Sequence, residues 1–462
     1  MRQVLLQGAR ILDPMNNVDL IGELLIREGK VAAIGKNLSS DLKQETEVIS
    51  LEGLVLCPGL IDMHVHLREP GQTAKETIKT GTQAAARGGI TSIVCMPNTN
   101  PPLDNPSSVA FVEEHCRQEA TVNVFIAGAI SKDLDGKEMA PIGGLKNAGV
   151  VAITDDGHCI QNNDLMRRSV EYAQLFGLLV MDHCQDYSAT SDGVMHGGYW
   201  STHLGLRGWP SLGEEIVVAR NILLAKRIGA RLYCQHVSSG ESINMIRMAK
   251  KEGITIYAET CPHYFILTDS AIAGSDIYWG KDGNDYFMPF SDEVKSLPKP
   301  RWSRYNTFFK MNPPLPSASH REAILEGLAD GTIDVIASDH APHCWHEKEV
   351  EFDLAPFGII GLETELALSL TGLYHKKILS LSDLIKKFTV NPAKLLGIKK
   401  GSLSIGSDAD ITVFDPEKEW FYNPNDGASK SKNSPFAGWP LKGKAIATWV
   451  KGELKWSDRN LK

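Results

Sequence analysis

Short apolar runs alternate with amphipathic stretches through the middle of the chain. The apolar runs are GLIDMHVHL (59–67), TSIVCMPN (91–98), VNVFIAGAI (122–130), VVAITDD (150–156), LLVMDHC (178–184), RLYCQHVS (231–238), ITIYAETCP (254–262) and DVIASDHAP (334–342). Each is short and rich in Val, Ile or Leu, as expected of strands buried on both faces. Between them, KETIKTGTQAAARGG (75–89), NDLMRRSVEYAQLFG (163–177), LGEEIVVARNILLAKRIG (212–229) and SSGESINMIRMAKKEG (238–253) carry helical spacing, the last opening on Ser and closing on Gly. Eight strands alternating with helices predict an α/β fold, a (β/α)8 barrel of the triosephosphate-isomerase type. An open doubly wound sheet is the alternative, but no GxGxxG turn supports it.

The two ends follow a different rhythm. QVLLQGARIL and DLIGELLIREGKVAAIG near the start, and DADITVFD and GKAIATWVKGELKW near the end, are strand-like runs punctuated by EGK and KGE. They predict a small β domain assembled from both termini: residues 1–53 and 398–462 flank a barrel at 54–397. Residues 269–309 form a long excursion after the seventh strand, with Tyr278, Trp279, Tyr286, Phe287, Phe290, Trp302 and Tyr305. A lid or a subunit contact is the expectation there, an ordered surface excursion the alternative. The loop 186–211, with His196, His203, Arg207 and Trp209, follows the fifth strand and is placed to cover a ligand.

Composition narrows the class. A net charge of -8 without a basic stripe argues against nucleic acid. No apolar run reaches the roughly 18 residues of a membrane span, and the first residues read as a strand, not a signal peptide. The eight cysteines form no CxxC pair and mostly sit in apolar runs, which predicts reduced, buried thiols and a cytoplasmic setting.

The chemistry gathers at the ends of the strands. His64 and His66 end the first, and period-two alternation turns both imidazoles to one face. Asp155 and Asp156 end the fourth, His183 the fifth and His236 the sixth; Asp339, followed by His340 and His343, ends the eighth. Imidazole and carboxylate at one mouth of one barrel are the usual ligands of zinc and similar ions. His64, His66 and Asp339 fit one ion, and His183 and His236 a second, with an aspartate of the fourth strand between. Such a pair would bring a shared water to a pKa of about 7. Spacing alone does not choose between Asp155 and Asp156.

DMHVHLREPG (62–71), ASDHAPH (337–343), MPNTNPPLDNP (96–106), KMNPPL (310–315), APFGIIGLET (355–364) and NSPFAGWP (433–440) together resemble the signatures of the dihydroorotases, within the amidohydrolase superfamily. The resemblance runs along nearly the whole chain. It implies reversible cyclisation of N-carbamoyl-L-aspartate to L-dihydroorotate, a step of de novo pyrimidine synthesis, by hydroxide attack on the ring amide. It also implies one or two Zn2+ per subunit, with manganese or cobalt able to substitute, and Asp339 as proton shuttle. VVAITDDG has no lysine to be carboxylated, so the chain resembles the class I branch bridged by aspartate, and the resemblance favours Asp156. A substrate carboxylate calls for a cation, and Arg68, two residues past His66, is placed for it by strand alternation. By resemblance His66, Asn98, Asn312, His343, Phe357 and Gly358 are further substrate contacts. The excursion 269–309 is longer than the resemblance implies. His115, His158, His263, His320, His346 and His375 are assigned no role.

Two other readings stand beside this one. A related cyclic amidohydrolase would act on hydantoin, dihydropyrimidine or allantoin, but a neutral ring would not require Arg68. A ligand-free relative would only support aspartate transcarbamoylase, yet every expected ligand is present. Homo-oligomerisation and a complex with that enzyme both stay open.

Overall fold

The computed structural model describes residues 3–38 and 46–458. Residues 1–2, 39–45 and 459–462, which the sequence assigns to the small domain, lie outside the described residues. Five strands come first: β1 (Gln3–Asp13), β2 (Val18–Arg27), β3 (Lys30–Gly35), β4 (Thr46–Ser50) and β5 (Val55–Pro58). The barrel follows with β6 (Leu60–Val65), β7 (Ile90–Cys95), β8 (Asn123–Gly128), β9 (Ala152–Ile153) and β10 (Leu179–Asp182). A small two-stranded ribbon, β11 (Met195–His196) and β12 (Gly208–Trp209), interrupts it. The barrel then resumes with β13 (Leu232–Cys234), β14 (Ile256–Thr260) and β15 (Val335–Ile336). The chain ends in β16 (Ile411–Phe421), β17 (Pro440–Val450) and β18 (Glu453–Ser457).

Strands β6 to β10 and β13 to β15 pair in parallel in sequence order, with helices between. A bridge between Val65 and His340 joins the last strand region to the first. This is the expected (β/α)8 barrel. Ile61, Met63, Val94, Met96, Ala127, Ala152, Leu179, Met181, Tyr233 and Val335 form one buried cluster, and side chains from opposite strands can meet only inside the barrel. A separate core, including Ile93, Cys95, Ile153, Val180 and Leu232, lies between strands and helices. Each strand therefore buries both faces, which is why its sequence lacks polar alternation.

The small β domain has its own core, with Leu6, Ile11, Leu24, Leu56, Ile411, Val413 and Trp449. Its sheet runs β18-β17-β16-β5-β1-β2-β3, with β4 beside β1. Strand β5 is the seam, parallel to β1 and antiparallel to β16. It leads directly into β6, so the small domain anchors the first strand of the barrel.

The excursion 269–309 turns its aromatics inward. Tyr278, Trp279, Tyr286 and Phe290 are buried, and Tyr278, Trp279, Tyr286 and Trp302 all pack on Trp439, with ring centroids 4.7–6.0 Å away. These rings are used within the chain, not left exposed for a partner subunit. Tyr305 is the exception, 42% exposed and donating its hydroxyl to Leu204 O. All eight cysteines are free thiols, six of them buried. Among the described residues no helix is long and apolar enough to cross a membrane.

Candidate metal centre

Two groups of buried side chains could hold metal ions: His64, His66 and Asp156, and Asp156, His183 and His236, with ligand atoms of each group within 4.8 Å of one another. Asp156 belongs to both. Its Oδ2 lies 3.1 Å from His64 Nε2 and 3.2 Å from His66 Nε2. Its Oδ1 lies 3.3 Å from His183 Nδ1 and 3.3 Å from His236 Nε2. Asp339 Oδ1 completes the first group, 3.1 Å from His66 Nε2 and 3.5 Å from His64 Nε2. Ligands about 2.1 Å from a tetrahedral ion stand roughly 3.4 Å apart, so most of these separations match the edges of a coordination shell.

The hydrogen bonds behind the cluster fit a cation in front of it. His64 Nδ1 donates to Glu259 Oε1 at 2.6 Å, and Glu259 Oε2 accepts from Tyr233 OH at 2.6 Å. His66 Nδ1 donates to Asn98 Oδ1 at 2.8 Å. His183 Nε2 donates to Gln185 Oε1 at 3.0 Å. In three imidazoles the far nitrogen thus holds the proton and the near one offers a lone pair to the cluster. His64 Nε2 and Asp156 Oδ1 are buried without a hydrogen-bond partner, a costly state that a bound ion would relieve. Burial opposes a charge on His64, yet Asp156, Glu259 and Asp339 together raise its pKa well above the ordinary value. The same negative field would draw a divalent cation in competition with protons.

Neighbouring Asp155 faces elsewhere. It accepts from Ile130 N at 2.7 Å, from Ser131 N at 2.9 Å and from the Ser131 hydroxyl. Burial pushes its carboxyl up to about 6, against those bonds. It ties the loop after β8 to the end of β9, while Asp156 turns to the histidines.

Strand alternation accounts for only part of this convergence. Leu179 and Met181 point into the barrel, and His183 follows at the same period. Tyr233 also points inward, so the period continues to Gln235; His236 reaches the cluster because its φ is 34°. His64 and His66 meet where the register of β6 on β7 shifts between Asp62 and Val65. Arg68 corrects the alternation argument outright: β6 ends at Val65, and Arg68 takes a φ of 62°. Asp339 has a φ of 46°. Such left-handed backbone costs of order 1–3 kcal/mol per residue and gathers at working sites.

Around the cluster, Arg68 is buried and donates Nε to Pro342 O at 3.2 Å. Burial lowers its pKa to about 10, opposed by the charges of Asp339 and Asp156. His343 is held between Phe357 O, to which Nε2 donates at 2.8 Å, and Lys75 Nζ, 3.3 Å from Nδ1. Burial, with the charges of Arg68, Lys348 and Lys75, pushes it down to about 2, so it is a neutral imidazole. Asn312 Nδ2 donates to Gln185 Oε1 at 3.3 Å, and its Oδ1 is buried without a partner. Asn98 spends its Oδ1 on His66. Trp209, from the 186–211 loop, stands edge-on to Phe357 with centroids 6.1 Å apart.

Sequence reasoning passed over several of these groups. Glu259 interrupts the apolar run ITIYAETCP, and a carboxylate inside a barrel strand was a readable signal. His263, given no role, is buried beside the cluster and pushed down to about 3 by burial, against the charge of Asp339. Gln185 and Lys75 carry no signal of their own, since only tertiary contacts bring them here; Asn433 opens the string NSPFAGWP, but nothing in that string points to its contacts.

The chain is similar to known proteins along nearly its whole length. A family model described as Dihydro-orotase-like matches residues 53–242. The chain is 45% identical over 456 residues to a dihydroorotase of Syntrophus aciditrophicus, spanning 99% of this chain and 100% of that one. It is 45% identical over 457 residues to a dihydroorotase of Pelotomaculum thermopropionicum, spanning 99% of each. Among solved structures, the L-hydantoinase (dihydropyrimidinase) of Arthrobacter aurescens superposes with a TM-score of 0.84 at 25% identity, over 100% of this chain and 98% of that one.

Proposed function

Because the chain belongs to the dihydroorotase family, we propose that the cluster at the barrel mouth is its catalytic centre, of the aspartate-bridged class I type. The reaction is the reversible interconversion of N-carbamoyl-L-aspartate and L-dihydroorotate. The observation that carries the site assignment is Asp156, with one oxygen toward His64 and His66 and the other toward His183 and His236.

His64, His66 and Asp339 would hold one ion, His183 and His236 the other, with Asp156 shared. Zinc suits this donor set and, when bound, supplies an activated water and a polarised amide carbonyl. Asp339 takes the proton released as the amide is attacked and returns it to the departing ring nitrogen; cyclisation reverses the path. Its Oδ1 stands 3.1 Å from His66 Nε2 at the edge of the first ion's place, where a cation favours the carboxylate form, so it starts as an acceptor. Arg68 binds the substrate carboxylate, with Asn98, Asn312 and His343 around it, and the backbone at Phe357 and Gly358 lies along the ring.

A neutral cyclic amide is the second reading, favoured by the hydantoinase likeness alone. The buried Arg68 guanidinium argues for an acidic ring: among the described residues it makes no ion pair and donates only Nε to Pro342 O, which leaves its fork for a carboxylate. The test is metal analysis on purified protein, with hydrolysis of dihydroorotate and of hydantoin on the same sample. One or two ions per chain and turnover of dihydroorotate, lost in Asp339→Ala, are expected. Metal with hydantoin turnover alone would overturn the substrate assignment, and protein without metal or turnover would overturn the centre.

A further inference from the structure

The residues around His343 and Gly358 are held by a segment from the other end of the chain. Asn433 precedes β17 and is 2% exposed. Its Oδ1 accepts from His343 N at 3.1 Å, and its Nδ2 donates to Ala341 O at 3.2 Å and Gly358 O at 3.1 Å. Its own carbonyl accepts from Ile360 N at 3.0 Å. One asparagine therefore joins the segment after β15 to the loop that carries Phe357 and Gly358.

The rest of the segment grips the far side of the same histidine. Ser429 Oγ donates to Glu76, Lys430 N donates to Glu76 Oε1 at 3.0 Å, and Ser431 Oγ donates to Lys75 O at 2.6 Å. Lys75 Nζ is the group 3.3 Å from His343 Nδ1. Gly358 must be glycine, since its φ is 126° and a Cβ there would meet Ala341 Cβ at 2.7 Å and Ala341 O at 2.9 Å; a glycine is free to turn, so its carbonyl needs an outside hold. The direction of its carbonyl is thus fixed by the Asn433 amide, and the His343 backbone by the Asn433 oxygen. Neither contact involves the four histidines or the two aspartates of the metal cluster.

We infer that Asn433 is a positioning residue for substrate binding, setting His343 and the Phe357–Gly358 backbone without acting on the metal centre. The inference rests on the reading that these residues contact the substrate. Asn433→Asp keeps the acceptor for His343 N but replaces the donor to two carbonyls with an oxygen, a nearly isosteric change. Asn433→Ser removes the donor pair without adding a charge and serves if the first variant does not fold.

In the metal-loaded enzyme, KM for dihydroorotate should rise about tenfold or more while kcat stays within about threefold. Metal content should be unchanged. An unchanged KM in a folded variant overturns the inference, as does a fall in kcat that tracks loss of metal. His343→Ala separates the two levels. If it leaves KM unchanged, the substrate-contact reading itself fails. If it raises KM while both Asn433 variants do not, only the positioning role fails.

Discussion

The barrel mouth and the excursion at 269–309 are both buried and polar in part, but they treat polar atoms in opposite ways. In the excursion the handles of the large aromatics are satisfied: Tyr278 OH donates to Ile266 O at 2.7 Å, Trp279 Nε1 to Pro300 O at 2.7 Å, Tyr286 OH to Pro440 O at 2.8 Å and Trp302 Nε1 to Ala271 O at 2.8 Å. At the mouth, His64 Nε2, Asp156 Oδ1 and His236 Nδ1 are buried without partners, and Arg68, His236 and Asp339 have left-handed backbone. In the excursion the satisfied rings contribute stability, and its departures, left-handed Tyr305 and the buried Asp269 beside Asp282, lie outside the aromatic pack. The mouth is locally in conflict, and the conflict gathers on the residues proposed to hold the metal and the substrate.

The sharpest break in that contrast lies between two adjacent residues. Asp156→Ala should strip the protein to background metal and lower dihydroorotate hydrolysis by about 10³-fold or more, leaving the fold intact. Asp155→Ala should keep its metal and lose stability instead, because Ile130 N and Ser131 N lose their acceptor. Equal metal content in the two variants would remove the distinction.

In the excursion the effect should be thermodynamic. Trp279→Ala removes a ring packed 4.7 Å from Trp439 and should cost about 3 kcal/mol in denaturant unfolding, with kcat nearly unchanged. A large loss of kcat at full metal content would mean that the excursion serves as a lid after all.

Gln185 sharpens the picture from the mouth side. Gln185→Ala takes the acceptor from His183 Nε2 and should weaken metal affinity about 10- to 100-fold in competition with a chelator, at little cost in melting temperature.

The smallest effect is a titration. Burial and the neighbouring charge of Asp282 push Asp269 up to about 7. Between the ordinary carboxylate value and pH 7 the folded state keeps a proton that the unfolded state has lost, so this group's contribution falls as pH rises through the window. Asp269→Asn should therefore gain about 1–2 kcal/mol at pH 8 relative to pH 4, in paired urea titrations against the parent.

What could be read from sequence follows the same division. The strands were legible because burial on both faces leaves unbroken apolar runs. Their C-terminal ends were legible because histidine and aspartate close the apolar runs there, and His183 also falls on the inward period. Arg68 was recognised for a spacing that the backbone does not obey, and His236 for its place at a strand end, where a left-handed residue resets which way the side chain points. Gln185 and Asn433 were illegible as partners. Gln185 meets Asn312 across more than a hundred residues, and the reach of Asn433 to Ala341 and Gly358 is almost as long. The aromatics of the excursion were visible, but the Trp439 that receives them was not linked to them.

The seam at β5 has a consequence for synthesis. Strand β5 is hydrogen-bonded on one side to β1 and on the other to β16, and it runs straight into β6, which bears His64 and leads to His66. At translation rates of about 5–20 residues per second, β16 leaves the ribosome roughly twenty seconds to a minute or more after β5. Throughout that interval β5 carries an open strand edge beside the barrel's first strand, and only the arrival of β16 ends its exposure to chaperones and to other unfinished chains.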